Sequence, residues 1–187
     1  MGLAAARGNL QGGNPQAARK TKAKLGGPAV IRVLTVLLLG ALALATAAAA
    51  EMWSAPPGWE VAKTRHSYAK LIERLDAAVK ANKMGLVTRA SATLGAKKLG
   101  KTIPGNMVIG VYHPRFAIRM LEASIPAGIE APIRFYVTEN ADGTATLSYR
   151  TPSAVFASYA DGGAKLAAMA RELDAIFANI AKQATAP

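Results

Sequence analysis

The sequence predicts an α+β fold: a two-layer α/β sandwich in which a mostly antiparallel sheet carries helices on one face. Three observations predict it. From Trp59 onward, strand-like and helix-like patterns succeed one another as β-α-β-α-β-α-β-β-α-α. Ile133 to Thr138 and Thr144 to Arg150 alternate apolar and polar residues on either side of Asn140-Ala141-Asp142-Gly143, which reads as a hairpin. The last segment, Ala164 to Lys182, carries a long apolar stripe that needs a surface to pack on.

The elements follow in order. Glu51 to Gly58, with Trp53 and Pro56-Pro57, reads as an extended lead-in, and Trp59 to Thr64 as a first strand. Ser67 fits an N-cap, its hydroxyl accepting from the free N–H groups of a first turn. The helix it opens runs to about Asn82, with Leu71, Ile72, Leu75, Ala78 and Val79 on one face. Asp76 and Lys80 are spaced for an ion pair, and Gly85 is placed to end the helix. Leu86 to Ala90 is a second short strand. Ser91 is placed to cap a two-turn helix, Ala92 to Leu99, closed by Gly100, with Lys97, Lys98 and Lys101 complementing its dipole.

The stretch from Gly105 to Arg115 organises the rest. After the turn Pro104-Gly105-Asn106, the run Met107 to Tyr112 reads as a strand buried on both faces at the centre of the sheet. Pro114 suits a first helical position, which leaves His113 as the N-cap. This helix runs to about Ser124. Phe116, Ala117, Met120 and Leu121 form its apolar face, and Arg115 and Arg119 lie one turn apart on the other. Pro126-Ala127-Gly128 breaks it. In the hairpin, Ile133, Phe135 and Val137 share one face, as do Ala145, Leu147 and Tyr149. Thr151-Pro152-Ser153 starts a short helix to about Tyr159, and Asp161-Gly162-Gly163 separates it from the last. There Leu166, Leu173 and Ile180 stand seven apart, but two heptads are too few for a coiled coil, so packing on the sheet is expected. The chain reads as a single domain over 59–182, with a loose tail at 183–187.

The N-terminus reads as an address. Residues 1–32 are basic and glycine-rich, Val33 to Ala45 are apolar, and Thr46 is followed by four alanines. This is the three-part secretory signal, with Glu51 as the expected new N-terminus, within two residues. No Arg-Arg pair is present, which favours the general secretory route. Two alternatives stand beside cleavage. The start of translation lies downstream, near Val30, or Val33 to Ala50 stays uncleaved as the only membrane attachment. Export to the periplasm or the medium is expected either way.

Charge and cysteine content narrow the function. The formal charge is +12, and half of it sits in residues 1–50, on Arg7, Arg19, Lys20, Lys22, Lys24 and Arg32. The rest has no dense basic run and no interleaved aromatic platform, so no nucleic-acid partner is expected. With no cysteine, disulfides, thiolate metal sites, covalent haem and a cysteine nucleophile are excluded.

With the elements in place, the chain from about Glu60 to Tyr159 resembles the domain of unknown function family numbered 302. The likeness is carried by Met84-Gly85-Leu86-Val87, Ala96 to Gly100 followed by Pro104, and Tyr112-His113-Pro114. It continues through Pro126 to Ile133, the Asp142-Gly143 hairpin and Ser148-Tyr149-Arg150-Thr151-Pro152. The resemblance implies a curved sheet-and-helix fold similar to that of the TATA-binding protein, which implies nothing about DNA. It brings no settled activity. Where the family often has Ile-Asp-His before its second helix, this chain has Arg89-Ala90-Ser91. Where it often has Phe-Gly-Asn-Pro after the central strand, this chain has Val111-Tyr112-His113-Pro114.

Three candidate sites follow. A helix N-terminus flanked by arginines holds anions, so Tyr112, His113, Arg115 and Arg119 are the candidate binding residues for a small carboxylate or phosphate. The bland alternative is a capping histidine and two solvated arginines, with Glu122 relieving Arg119. A metal or haem site is the second candidate, on His66 and His113 with Met84, Met107 or Met120 as softer partners. A hydrolase is the third, without a Gly-x-Ser-x-Gly motif. Tyr112, Tyr136 and Tyr149 line an apolar pocket or simply pack on the sheet. The sequence thus predicts an exported, non-enzymatic domain, without a cofactor, that binds a small anionic ligand or an envelope partner.

Overall fold

The structure is a computed structural model and describes residues 55–187. The secretory signal read at 1–50, and Trp53 of the lead-in, lie outside the described residues. The elements are β1 (Trp59–Ser67), α1 (Tyr68–Ala81), β2 (Gly85–Ala90), α2 (Ala92–Lys98), β3 (Asn106–Tyr112), α3 (Pro114–Ala123), β4 (Ile133–Glu139), β5 (Thr144–Arg150), α4 (Pro152–Phe156) and α5 (Gly163–Thr185). Two 3₁₀ turns, Pro126–Glu130 and Ala160–Gly162, join α3 to β4 and α4 to α5. The class is α+β, as the strand and helix patterns predict.

The five strands form one antiparallel sheet in the order β1-β5-β4-β3-β2. The position expected for β3 needs correcting: β4 holds the centre, and β3 lies between β4 and the edge strand β2. The hairpin sets this order, because β1 returns to pair with the free side of β5. Nor is β3 covered equally on both faces. Ile109 and Val111 are buried under the helices, whereas Val108, on the other face, is half-buried. Gly110 is buried there for a local reason: a Cβ would lie 2.2 Å from Thr88 Oγ1 and 2.7 Å from Pro132 Cγ. Neighbouring side chains, not a second layer of helices, cover it.

The core lies between the sheet and α1 and α5. Leu71, Leu75 and Val79 from α1 and Leu166, Met169, Phe177 and Ile180 from α5 meet Phe135, Val137, Ala145 and Leu147 from the hairpin, all buried. The Phe135 ring stacks on Phe177 with centroids 4.8 Å apart and planes 13° from parallel, and Tyr149 lies 4.9 Å from Phe135. Such aromatic contacts add to the apolar burial that drives packing.

Local chemistry explains where elements begin and end. Ser67 caps α1 as expected, its hydroxyl accepting from the Lys70 N–H. Gly85 does not end α1. Asn82 donates its N–H and side-chain amide to the Ala78 carbonyl, Lys83 takes the left-handed conformation at φ 57°, and the Met84 N–H reaches back to the Val79 carbonyl. This is a Schellman closure with lysine where glycine is usual, and it frees Gly85 to open β2. Asp76 pairs across to Arg89 on β2 rather than with Lys80. The first N–H of α2, from Ala92, goes to Asn106 Oδ1 rather than to Ser91. The short helix stops at Phe156, before the expected Tyr159.

The tail reading is also corrected. α5 continues to Thr185, with Ala184 fully buried. Arg74 of α1 donates to the carbonyls of Gln183, Ala184 and Ala186, so carbonyls at the C-terminal end of α5 gain a cationic partner.

Burial pushes the Tyr149 hydroxyl up to about 12, with Glu60 and Asp174 adding to the effect. A raised acid stabilises the fold below the unfolded-state value near 10 and loses that contribution as pH rises through 12. Stability measured by urea melts is therefore expected to fall between about pH 10 and pH 12. Tyr149→Phe is expected to flatten that alkaline limb, and an unchanged limb would assign it to other groups.

Candidate functional site

The turn from β3 into α3 is where the chain concentrates unusual chemistry. His113 is extended (φ −149°, ψ 127°) and caps α3, its Nδ1 accepting from the Arg115 N–H at 3.1 Å. Pro114 offers no N–H, and the N–H groups of Phe116 and Ala117 both donate to the His113 carbonyl, at 3.0 and 3.2 Å. The donors of this helix start are therefore satisfied within the chain. The capping role predicted for His113 is what the structure shows.

The two arginines are brought together as their spacing implies, over a single aromatic ring. The guanidinium carbons of Arg115 and Arg119 stand 4.8 and 5.5 Å from the Phe116 centroid, and the His113 ring meets the same phenyl edge-on at 6.1 Å. Cations over an aromatic face are attracted by its quadrupole. Both arginines reach one carboxylate. Glu172 of α5 accepts from Arg115 at 3.3 Å and from Arg119 at 2.6 Å. Glu122, the partner expected from helix spacing, is not the one used. Two cations and one anion leave this rim with one surplus positive charge.

Beneath the rim lies a small apolar cavity of about 30 Å³. Its walls include Met84, Met120, Met169, Phe116, Phe156 and Phe177, and Tyr112 and His113 stand among the lining residues. It has room for about two water molecules, but its walls offer almost no polar partner, so water is disfavoured there.

The structure separates the two histidines. Nε2 of His66, on β1, lies 2.7 Å from the Ala186 carbonyl beyond α5, far in sequence from the rim chemistry. Of the methionines considered as soft ligands, Met84 and Met120 share the cavity with His113, Met107 does not line it, and Met169 joins them. Among the described residues no group of three His, Asp or Glu side chains is placed to hold a metal. The histidine cap also bears on metal binding. With Nδ1 accepting from a backbone N–H, a neutral ring carries its proton on Nε2, so metal ligation through Nε2 requires that cap bond to break. Sequence reasoning missed Glu172 and Met169. Met169 was accessible, since it sits three residues after Leu166 and four before Leu173 on the α5 stripe.

Fold and site together define an antiparallel α+β domain with an apolar cavity at the end of β3 and an arginine-rimmed helix start above it. The chain belongs to the family described as domain of unknown function DUF302, whose profile matches residues 60–184. A crystal structure of an uncharacterized conserved DUF302 protein from Bacillus stearothermophilus superposes with a TM-score of 0.60. It is 18% identical, and the match covers 68% of this chain and 99% of that one, which shows the shared fold. Over 96 residues the chain is also 29% identical to proteins named fluoride-specific ion channel FluC 1, from Brucella suis biovar 1 (strain 1330) and Brucella abortus biovar 1 (strain 9-941). That segment is 51% of this chain but only 38% and 36% of theirs, so the chain spans well under half the length of these relatives.

His113→Ala is expected to cost about 1 kcal/mol of folding stability, the usual loss for a side-chain N-cap, and His113→Asn to recover most of it. Chemical melts check this, and an Ala variant as stable as the wild type would remove His113 from the capping role.

Proposed function

We propose that this chain is a non-catalytic binding domain of the cell envelope. It takes a small ligand with an anionic head and a short apolar body at the turn between β3 and α3. One observation carries the reading: an apolar cavity and a pair of arginines sharing a single carboxylate occur at the same turn. The head exchanges with Glu172 between Arg115 and Arg119, since carboxylate–guanidinium pairing is the same chemistry in either case. Glu172 is about two-fifths exposed, which leaves it room to swing away. The apolar body enters between Met84, Met120 and Met169, whose unbranched side chains repack around irregular shapes.

The envelope setting rests on the three-part signal of residues 1–50. The partial likeness to proteins named as fluoride-specific ion channels supports the same setting, and with it a membrane-protein partner. Among the described residues no helix is long and apolar enough to cross a membrane.

A soft metal ion is the second reading, carried by three methionines and His113 around one cavity. Thioethers and imidazole suit cuprous copper. It requires the His113 ring to give up its bond to the Arg115 N–H. A cavity of about 30 Å³ does not admit a porphyrin.

Two measurements test these readings. Thermal shift against butyrate is expected to show stabilisation of the wild type, loss of it in Arg115→Ala, and several-fold tighter binding in Glu172→Gln, where the internal competitor is gone. No response to butyrate in both wild type and Glu172→Gln would overturn the anion site, and stabilisation by cuprous ion alone would favour the metal. Alkaline phosphatase fused after Pro187, which becomes active only outside the cytoplasm, is expected to be active in cells producing the full chain. An inactive, stable fusion would overturn the envelope setting.

A further inference from the structure

We infer a second ligand site, on the face of the sheet turned away from α1 and α5, that takes a flat organic anion with a carboxylate head. A cleft of about 330 Å³ lies there, in the size range where small-molecule pockets begin. Its lining includes Arg134, Arg150, Trp59, Tyr136 and Ser148, with the carboxylate of Glu130 at its edge.

The strand register supplies the argument. Tyr136 pairs with Ser148, and the ladder ends at Phe135 with Tyr149. Continued one step, that register sets Arg134 across from Arg150, and both line the cleft. Like charges facing each other across neighbouring strands are destabilising. On α3 the same conflict is met by Glu172, which touches both guanidiniums. Here the internal anion falls short. Glu130 approaches Arg134 only to 3.9 Å, and its other oxygen accepts from the Tyr159 hydroxyl at 2.9 Å. Arg150 donates to the Ala154 carbonyl, and among the described residues it meets no carboxylate. Both guanidiniums keep spare donors at one cleft, and such planar forks pair with carboxylates bidentately.

The apolar part of the ligand follows from what flanks the pair. Trp59 is the β1 partner of Arg150, so its indole shares that face. Tyr136 is 37% exposed, although it sits on the central strand. A planar ring stacks on such surfaces and on guanidinium planes. Ser148, at the floor of the cleft, is 8% exposed and donates to the Tyr136 carbonyl only at 3.5 Å, so its hydroxyl is weakly held. This site uses none of Tyr112, His113, Arg115 or Arg119, and it stands or falls separately from the cavity at α3.

Calorimetric titration with 1-naphthoate tests it, with 1-naphthamide as the uncharged counterpart. Saturable binding of naphthoate is expected, with naphthamide at least tenfold weaker. Arg134→Gln and Arg150→Gln are each expected to weaken naphthoate at least tenfold, while Arg115→Ala leaves it unchanged. Removing one of two facing like charges is expected to leave the melting temperature of Arg134→Gln unchanged or raised, which separates a ligand role from a structural one. Absence of saturable heat with the wild type, equal binding of acid and amide, or wild-type affinity in both glutamine variants would overturn the inference.

Discussion

The stacking of Phe135 on Phe177 is the contact on which the rest of the molecule depends. Phe135 lies on β4, the central strand, and Phe177 lies midway along α5. Their contact seats the longest helix on the middle of the sheet. α5 then carries Glu172 to the two arginines of α3 and Met169 to the cavity beneath them. Its far end, through Ala184 and the carbonyls held by Arg74, is fixed against α1. The rim chemistry is therefore not a property of the β3–α3 turn alone. It exists because a helix distant in sequence is set against the sheet at one height, and packed interiors tolerate little sliding.

What was legible in the sequence was local. Ser67 and His113 are caps because each precedes an apolar period by the right spacing, and the structure forms both bonds. The β4–β5 hairpin was legible because strict alternation puts Phe135, Val137, Leu147 and Tyr149 on one face. What was not legible was pairing between distant segments. Nothing in the apolar run of β3 distinguishes a central strand from its neighbour, and Gly110 makes the run look doubly buried when Thr88 and Pro132 supply the cover. Glu122 was the expected partner of Arg119 since helix spacing reaches only three or four residues. The carboxylate used comes from another helix. The end of α5 was obscured in the same way, since Gln183 to Ala186 look like a frayed terminus until Arg74 is seen on the carbonyls of Gln183, Ala184 and Ala186.

The two arginine pairs show how one electrostatic problem is met differently by helix and sheet. On α3, Arg115 and Arg119 are a helical turn apart and lie over Phe116, and a helix packed alongside supplies Glu172. On the sheet, the β4–β5 register continued one step sets Arg134 across from Arg150, and the carboxylate of Glu130, on the Pro126–Glu130 turn, comes only to 3.9 Å from Arg134. A strand pair cannot relieve such a conflict by small rotation, since a shift of one residue would send the whole apolar face of the hairpin to solvent. The register is held by Phe135, Val137, Leu147 and Tyr149, all buried. The core thus holds two like charges at one cleft on the opposite face, and relief has to come from outside the hairpin: in part from Glu130 beside Arg134, and otherwise from solvent ions or a ligand whose shape suits the indole and phenol beside them.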